Sequence, residues 1–178
     1  MKTLIVYESM YGNTHRIAEQ VARAFEGAGP VHVLPAETAT PELVKEADLL
    51  IVGGPTHAHG LSSGQSRQGA RDAVTKPGSD LNLDPDNEGA GLRDWFNSLG
   101  QFEGKHAAAF DTRIDMPAML TGRASRGIAR RLRRHGFSLV GHPESFLVDK
   151  HSHLVPGEAE RASKWGEQLS RAEGRVIT

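Results

Sequence analysis

Residues 4–22 read LIVYESMYGNTHRIAEQVA. Leu4 to Tyr7 is a short apolar run with β-branched and aromatic members, as expected of a strand buried on both faces. Glu8 to Thr14 forms a polar turn segment containing one glycine. From about Thr14, Ile17, Val21 and Phe25 recur every fourth residue with Ala18 and Ala22 beside them, which predicts a helix with one apolar face. Gly27 and Gly29 end it.

Strands and helices alternate along the rest of the chain. Val31 to Leu34 is predicted as a second strand, and Pro41 opens a short helix ending near Ala47. Leu49 to Val52 is a third strand, closed by Gly53-Gly54-Pro55. His106 to Phe110 is a fourth. Phe137 to Val140 and Ser145 to Val148 share a fifth strand region, with a bend at Gly141 and Pro143. Helical faces are carried by Leu92, Trp95, Phe96 and Leu99, by Ile128, Ala129 and Leu132 within Ser125 to His135, and by Ala162, Trp165, Leu169 and Ala172 after Pro156-Gly157-Glu158. Strand regions alternating with helices in this way predict an α/β fold, a parallel sheet with helices on both faces. Ligands of such sheets bind beyond the strand C-termini, where the strand order switches. The chemistry is therefore expected after Tyr7, Val52 and Phe110.

Residues 61–91 interrupt the rhythm. They are rich in Gly, Ser, Asp and Pro, and only Arg67 to Val74 has the character of a helical turn. A loop of this length inside a compact domain is functional or mobile. With no internal repeat and no second core, the 178 residues are read as one domain carrying a long insertion.

Composition narrows the function classes. There is no cysteine, which excludes disulfides, thiolate catalysis and cysteine-ligated metals. No stretch approaches the roughly 18 apolar residues needed to span a bilayer. The N-terminal apolar run is shorter than the roughly 7–15 residues of a secretion signal, and it reads as a buried strand of a cytoplasmic protein. The formal net charge is −1, so the whole molecule is not steered toward nucleic acid or anionic membrane.

The first loop offers hydroxyls from Ser9 and Thr14, the Asn13 amide and a turning glycine, Gly12, at the start of a helix. Free N–H groups and the helix dipole favour an anion there. The alternative is that Ser9 and Thr14 cap the helix. The loop contains neither Gly-Lys-Ser/Thr nor Gly-x-Gly-x-x-Gly, so a P-loop triphosphatase and a dinucleotide fold are poorly supported. The stretch YESMYGNTHRIAEQVA, following a buried N-terminal strand, resembles the phosphate loop and first helix of flavodoxins, in which a hydroxyl residue and two variable positions precede Gly-x-Thr. The resemblance extends over residues 1–60 and 100–172. It implies a flavodoxin-like three-layer sandwich with a five-stranded parallel sheet, and an FMN whose phosphate is contacted by Ser9, Met10, Tyr11, Gly12, Asn13 and Thr14.

Gly53-Gly54-Pro55-Thr56-His57-Ala58-His59-Gly60 looks like the family's second flavin loop. By that resemblance Pro55, Thr56, His57, Ala58, His59 and Gly60 approach the ring, and a peptide at or beside Gly60 reorients with the protonation of flavin N5. His57 and His59 are open to three readings: metal ligands, flavin neighbours or polar loop residues. Only two ligands are visible and no cysteine completes a site, so no metal is assigned. His151 and His153 are taken as surface residues. Phe110 to Met116 matches the third flavin loop, which implies that Asp111, Thr112 and Arg113 meet the polar edge of the ring. Arg113 is equally suited to a salt bridge with Asp111 or Asp115. Many flavodoxins sandwich the ring between two aromatics from these loops, often Trp and Tyr, and neither loop here has one. His57, His59, Met116 and Met119 are the available replacements, and the segment from Leu61 to Gly91 is another cover.

On a helical wheel Arg126, Arg130, Arg133 and Arg134 fall opposite Ile128 and Leu132. They form either a solvated face or a docking patch for an acidic partner. Nucleic acid is not favoured, because no reading motif or interleaved aromatic accompanies them. The resulting expectation is an FMN-binding electron carrier that serves redox partner proteins. The alternatives are a flavodoxin-like FMN reductase acting on a quinone or similar acceptor, and a flavin-free binding or regulatory module.

Overall fold

The computed structural model describes residues 1–57, 60–87, 89 and 91–176, with residues 175 and 176 described by their backbone alone. Its elements are β1 (Thr3–Tyr7), α1 (Asn13–Arg23), β2 (Val31–Pro35), α2 (Pro41–Glu46), β3 (Leu49–His57), β4 (Gly60–Leu61), α3 (Gly64–Val74), α4 (Leu92–Ser98), β5 (His106–Ile114), α5 (Ala118–Thr121), α6 (Ala124–Arg134), β6 (Ser138–Leu139), β7 (Glu144–Val148) and α7 (Glu158–Val176). The parallel strands run in the order β2-β1-β3-β5, with β6 on the first part of β5 and β7 on its second part. The fifth strand region of the sequence is thus one strand position broken in two, and the break contains Gly141 at φ 71°.

Successive side chains of a strand point to opposite faces of the sheet, and the central strands are apolar on both. Leu4, Val6, Leu50, Val52, Ala107 and Ala109 enter one core with Val44, Leu92, Trp95, Phe96, Ile128 and Leu132. Ile5, Tyr7, Leu49, Ile51, Ala108 and Phe110 enter the other with Ile17, Val21, Trp165 and Leu169. Helices α1 and α7 therefore cover one face, and α2, α4 and α6 the other. The three-layer α/β sandwich with a parallel sheet follows from this two-sided burial. Chain order reverses between β1 and β3, which places the crevice of the fold at their C-terminal ends.

β3 and β5 both outrun their sequence-based limits. The stretch Gly53-Gly54-Pro55 does not turn the chain. It continues β3 in register with β5, Gly53 opposite Phe110, Gly54 opposite Asp111 and Pro55 opposite Thr112. A Cβ on Gly53 would run into the Phe110 ring, so glycine here permits close packing. β3 then folds back on β4, with Thr56 opposite Leu61 and His57 opposite Gly60. Within the insertion, α3 starts three residues before the expected helical turn. A capping box between Ser63 and Ser66 fixes its start: each side chain accepts from the other residue's backbone N–H, at 3.2 and 2.8 Å.

Gly53→Ala is expected to lower the unfolding free energy by about 2 kcal/mol, because the core must shift to admit the methyl group. Urea denaturation reads this directly, and a wild-type midpoint would contradict the packing role.

Candidate functional site

The C-terminal ends of β1, β3 and β5 enclose a cleft of about 160 Å³. Ser9, Met10, Tyr11, Asn13 and Thr14 line it from the first loop, Pro55, Thr56 and His57 from β3, and Thr112 and Arg113 from β5. The fold thus assembles three separate segments that the sequence singled out. Gly60, Asp111 and Met116 are not on its walls, and Gly12 contributes the turn rather than lining. Ala58 and His59 lie outside the described residues.

The first loop is tied on every side. The buried Ser9 Oγ accepts from Gly12 N at 3.1 Å, and Gly12 adopts φ 84° to swing the chain into α1. Thr14 Oγ1 and Thr112 Oγ1 share a buried hydrogen bond of 2.8 Å. Asn13 Nδ2 donates to Ser152 O at 2.6 Å, and Tyr11 OH donates to Ala70 O at 3.2 Å. The helix itself begins bare. No side chain caps α1 and no acid stands in its first turn. Arg16 N bonds back to Gly12 O at 2.9 Å, and the amides before it have no partner along the helix axis. Ser9 and Thr14 therefore do not act as ordinary caps.

Thr56 and Asp111 serve the opposite helix. Thr56 Oγ1 accepts from Ala124 N at 2.9 Å, and Asp111 Oδ2 accepts from Ser125 N at 2.7 Å. Together they satisfy the first turn of α6, whose own N-cap residue, Arg123, offers no side-chain acceptor. Asp111 is fully buried, and burial raises its pKa against the opposing effect of its hydrogen bonds. Arg113 makes no ion pair with Asp111 or Asp115. Its Nη1 donates to Met116 O at 2.6 Å, bracing the turn after β5, while its Nε is buried without a partner. The chain that follows exposes Ile114, Met116, Met119 and Leu120, an apolar rim beside the cleft.

Glu8, at the end of β1, joins the insertion to this region. Its carboxylate accepts from Ser62 Oγ and, at 2.8 Å, from Leu92 N. His57 stands nearby with Nε2 buried and unpartnered. Desolvation lowers the pKa of His57 despite the Glu8 charge, so the ring is neutral near pH 7.

Sequence reasoning missed the β7–α7 segment. Val148, Asp149, Lys150 and Ser152 complete the cleft. Asp149 Oδ1 accepts from His151 N and His153 N at 2.8 and 2.9 Å, and Ser152 sits at φ 61°. That turn aims the Ser152 carbonyl at Asn13 while His151 and His153 stay exposed. An Asp two residues ahead of the turn is a legible Asx-turn signal. Its place in the cleft depends on β7 pairing with the far half of β5.

The lowered pKa of His57 has a definite consequence for stability. Between the unfolded value, near 6.5, and the folded value, the unfolded chain binds more protons than the folded one. Stability present at neutral pH is therefore lost as pH falls below the unfolded value. His57→Gln is expected to flatten that loss in urea titrations taken between neutral pH and about pH 5.5. Parallel pH profiles for variant and wild type would contradict the assignment.

The sequence model of the flavodoxin family matches residues 5–173. Comparison with curated proteins gives no match. Among solved structures, a flavodoxin from the domain Archaea is similar at 19% identity and a TM-score of 0.66, over 98% of this chain and 99% of its own. Oxidised flavodoxin 1 from Bacillus cereus is similar at 18% identity and 0.65, over 96% and 98%. Two-electron reduced flavodoxin from Megasphaera elsdenii is similar at 19% and 0.61, over 95% and 98%. These findings do not favour a quinone-type reductase or a flavin-free module. Among the described residues no helix is long and apolar enough to cross a membrane. The chain belongs to the flavodoxin family, as an FMN-binding protein that transfers electrons to redox partners.

Proposed function

We propose that the loop from Ser9 to Thr14 holds the FMN phosphate and that the ends of β3 and β5 receive the rest of the cofactor. The observation that carries this reading is the bare N-terminus of α1, with no side-chain cap, no acid in its first turn and, among the described residues, no acceptor for its first amides. Such a terminus attracts an anion through free N–H groups and the helix dipole. The hydroxyls of Ser9 and Thr14 belong to the same cleft, and so does Lys150, whose ammonium offsets part of a phosphate's charge. The donor set therefore fits a phosphate monoester.

The cleft volume, about 160 Å³, is below the roughly 300 Å³ at which ligand pockets generally begin. A ligand of FMN's size accordingly extends out of it, with Ile114, Met116, Met119 and Leu120 as the neighbouring apolar surface. When bound, FMN supplies reversible uptake and release of electrons. The chain's own residues anchor, orient and shield. His57 offers a neutral, unpartnered Nε2 as a hydrogen-bonding group. Pro55 and Thr112 restrict water, and Arg113 brings positive charge to the cleft. The whole chain acts as one domain in this reading, with residues 61–91 as an insertion beside the first loop.

The arginine face of α6 suits an acidic redox partner. Arg126, Arg130, Arg133 and Arg134 are exposed, and none forms an ion pair with a described residue. Arg131, between them, has its pKa lowered by burial and by repulsion from Arg93, Arg134 and Arg130. An incoming anionic surface would relieve that repulsion. Ferricyanide oxidation of the reduced, FMN-loaded protein is a probe of this face. The rate is expected to fall with ionic strength in the wild type and to fall less steeply in the R126E/R130E double variant. Identical slopes would contradict the docking role.

Replacing Ser9 and Thr14 together with Ala is expected to weaken FMN about 100-fold, two charge-assisted hydrogen bonds being removed. Riboflavin, which lacks the phosphate, should weaken by less than about threefold on the same scale. Flavin fluorescence titrations measure both, and equal weakening of the two ligands would contradict the phosphate placement.

A further inference from the structure

The insertion brings a second set of donor atoms to α1. Asp84 and Asp86 meet His15, and the three residues offer ligand atoms that all lie within 4.8 Å of one another. His15 Nδ1 is 3.4 Å from Asp84 Oδ2 and 3.8 Å from Asp86 Oδ2. Two atoms bound at about 2.1 Å to one tetrahedral ion lie about 3.4 Å apart. The His15–Asp84 spacing is thus that of neighbouring ligands on one ion, and the His15–Asp86 spacing is somewhat wider.

The other side of each donor is already fixed. Asp84 Oδ1 accepts from Asp86 N at 2.9 Å, while Asp84 Oδ2 is buried and has no hydrogen-bond partner. The Asp84 side chain is only 1% exposed, so this oxygen, without a hydrogen bond and in charge contact with His15 Nδ1 alone, faces into the cluster away from bulk water. Asp86 Oδ2 is held by Tyr7 OH at 2.6 Å. The Tyr7 ring stacks on the imidazole of His15 with centroids 4.4 Å apart. His15 Nε2 lies 3.8 Å from Glu19 Oε1, one helical turn along α1. An imidazole with one nitrogen toward the donors and the other toward a carboxylate, beside a hydrogen-bonded carboxylate ligand, has the outer shell that metal sites use to orient their ligands.

We infer that His15, Asp84 and Asp86 bind a divalent transition-metal ion of the zinc type, with water completing the coordination. The imidazole and two carboxylates form an N/O donor set that suits zinc and disfavours calcium and magnesium, which prefer oxygen alone. The partial exposure of His15 and Asp86, 31% and 38%, leaves the ion a path in and a place for water. Bound there, the ion would tie residues 84–86 to α1 and β1. Asp84 N also donates to Met10 O at 2.8 Å, so the tie reaches the first loop. If the flavin reading above holds, the ion additionally offsets two carboxylates placed close to a phosphate. That consequence rests on the flavin reading, whereas the metal site does not.

The test uses the full chain, stripped with chelator and free of flavin, titrated calorimetrically with Zn²⁺. One equivalent should bind to the wild type. Asp84→Asn and His15→Gln should each weaken that site at least about tenfold. A variant carrying His151→Ala and His153→Ala should keep it, since those exposed histidines beside Asp149 are the rival position. Zn²⁺ should also raise the melting temperature of the wild type and not that of His15→Gln, which alters a partly exposed helix residue and decides the matter if Asp84→Asn does not fold. No saturable binding up to millimolar Zn²⁺ would overturn the inference. So would a site lost with His151 and His153 but untouched by Asp84→Asn and His15→Gln.

Discussion

The parallel pairing of β3 with β5 beyond the hydrophobic core is the constraint on which the rest of the site depends. Through Gly53, Gly54 and Pro55 the two strands stay in register past the last core residue. That extension carries Thr112 to Thr14 and sets Thr56 and Asp111 against the first turn of α6. It also provides the far half of β5, on which β7 hangs, and so brings Asn13 and Ser152 together. Each of these contacts joins segments distant in sequence. A shift of one residue in the β3–β5 register would turn every side chain to the opposite face and dissolve them together.

The electrostatics of the cleft are asymmetric in a way that suits an anion. Both helices that start near it, α1 and α6, need partners for their first amides. α6 obtains them from Thr56 and the buried Asp111, whereas α1 receives none from side chains. The fold thus caps the first turn of one helix with side chains and leaves that of the other without a side-chain cap. The Trp and Tyr side chains that could sandwich a ring are absent from the second and third loops. Trp95 and Trp165 are buried in the two cores, Tyr7 is sealed beneath Asp86, and Tyr11 is tied to Ala70. Of these only Tyr11 lines the cleft, and the exposed apolar surface beside it is Ile114 with Met116, Met119 and Leu120.

Much of this architecture was legible in the sequence because its signals are local. The apolar strand of Leu4 to Tyr7, the fourfold spacing of Ile17, Val21 and Phe25, and the breaks at Gly27 and Gly29 each act within a few residues. The first-loop residues were legible for the same reason. Long-range pairing was not. Glycine and proline at 53–55 carry the local signal of a strand end, yet the Phe110 ring and the β5 ladder hold them in the sheet. Asp111 reads as a loop residue until the first turn of α6 arrives to donate to it. The place of Lys150 and Ser152 in the cleft was not legible because it depends on where β7 pairs. The His15, Asp84 and Asp86 cluster was hidden in the same way, since one residue lies on α1 and the others in a part of the insertion with no periodic signal.

In the proposed reading the bare end of α1 and the extended ends of β3 and β5 together build an FMN site. The most direct test of that reading is the visible absorption of the purified protein after addition of FMN and gel filtration. A flavin spectrum co-eluting with the protein in equimolar amount is expected, with the fluorescence of the added FMN quenched. A colourless protein fraction, with the fluorescence of FMN unchanged on mixing, would contradict it.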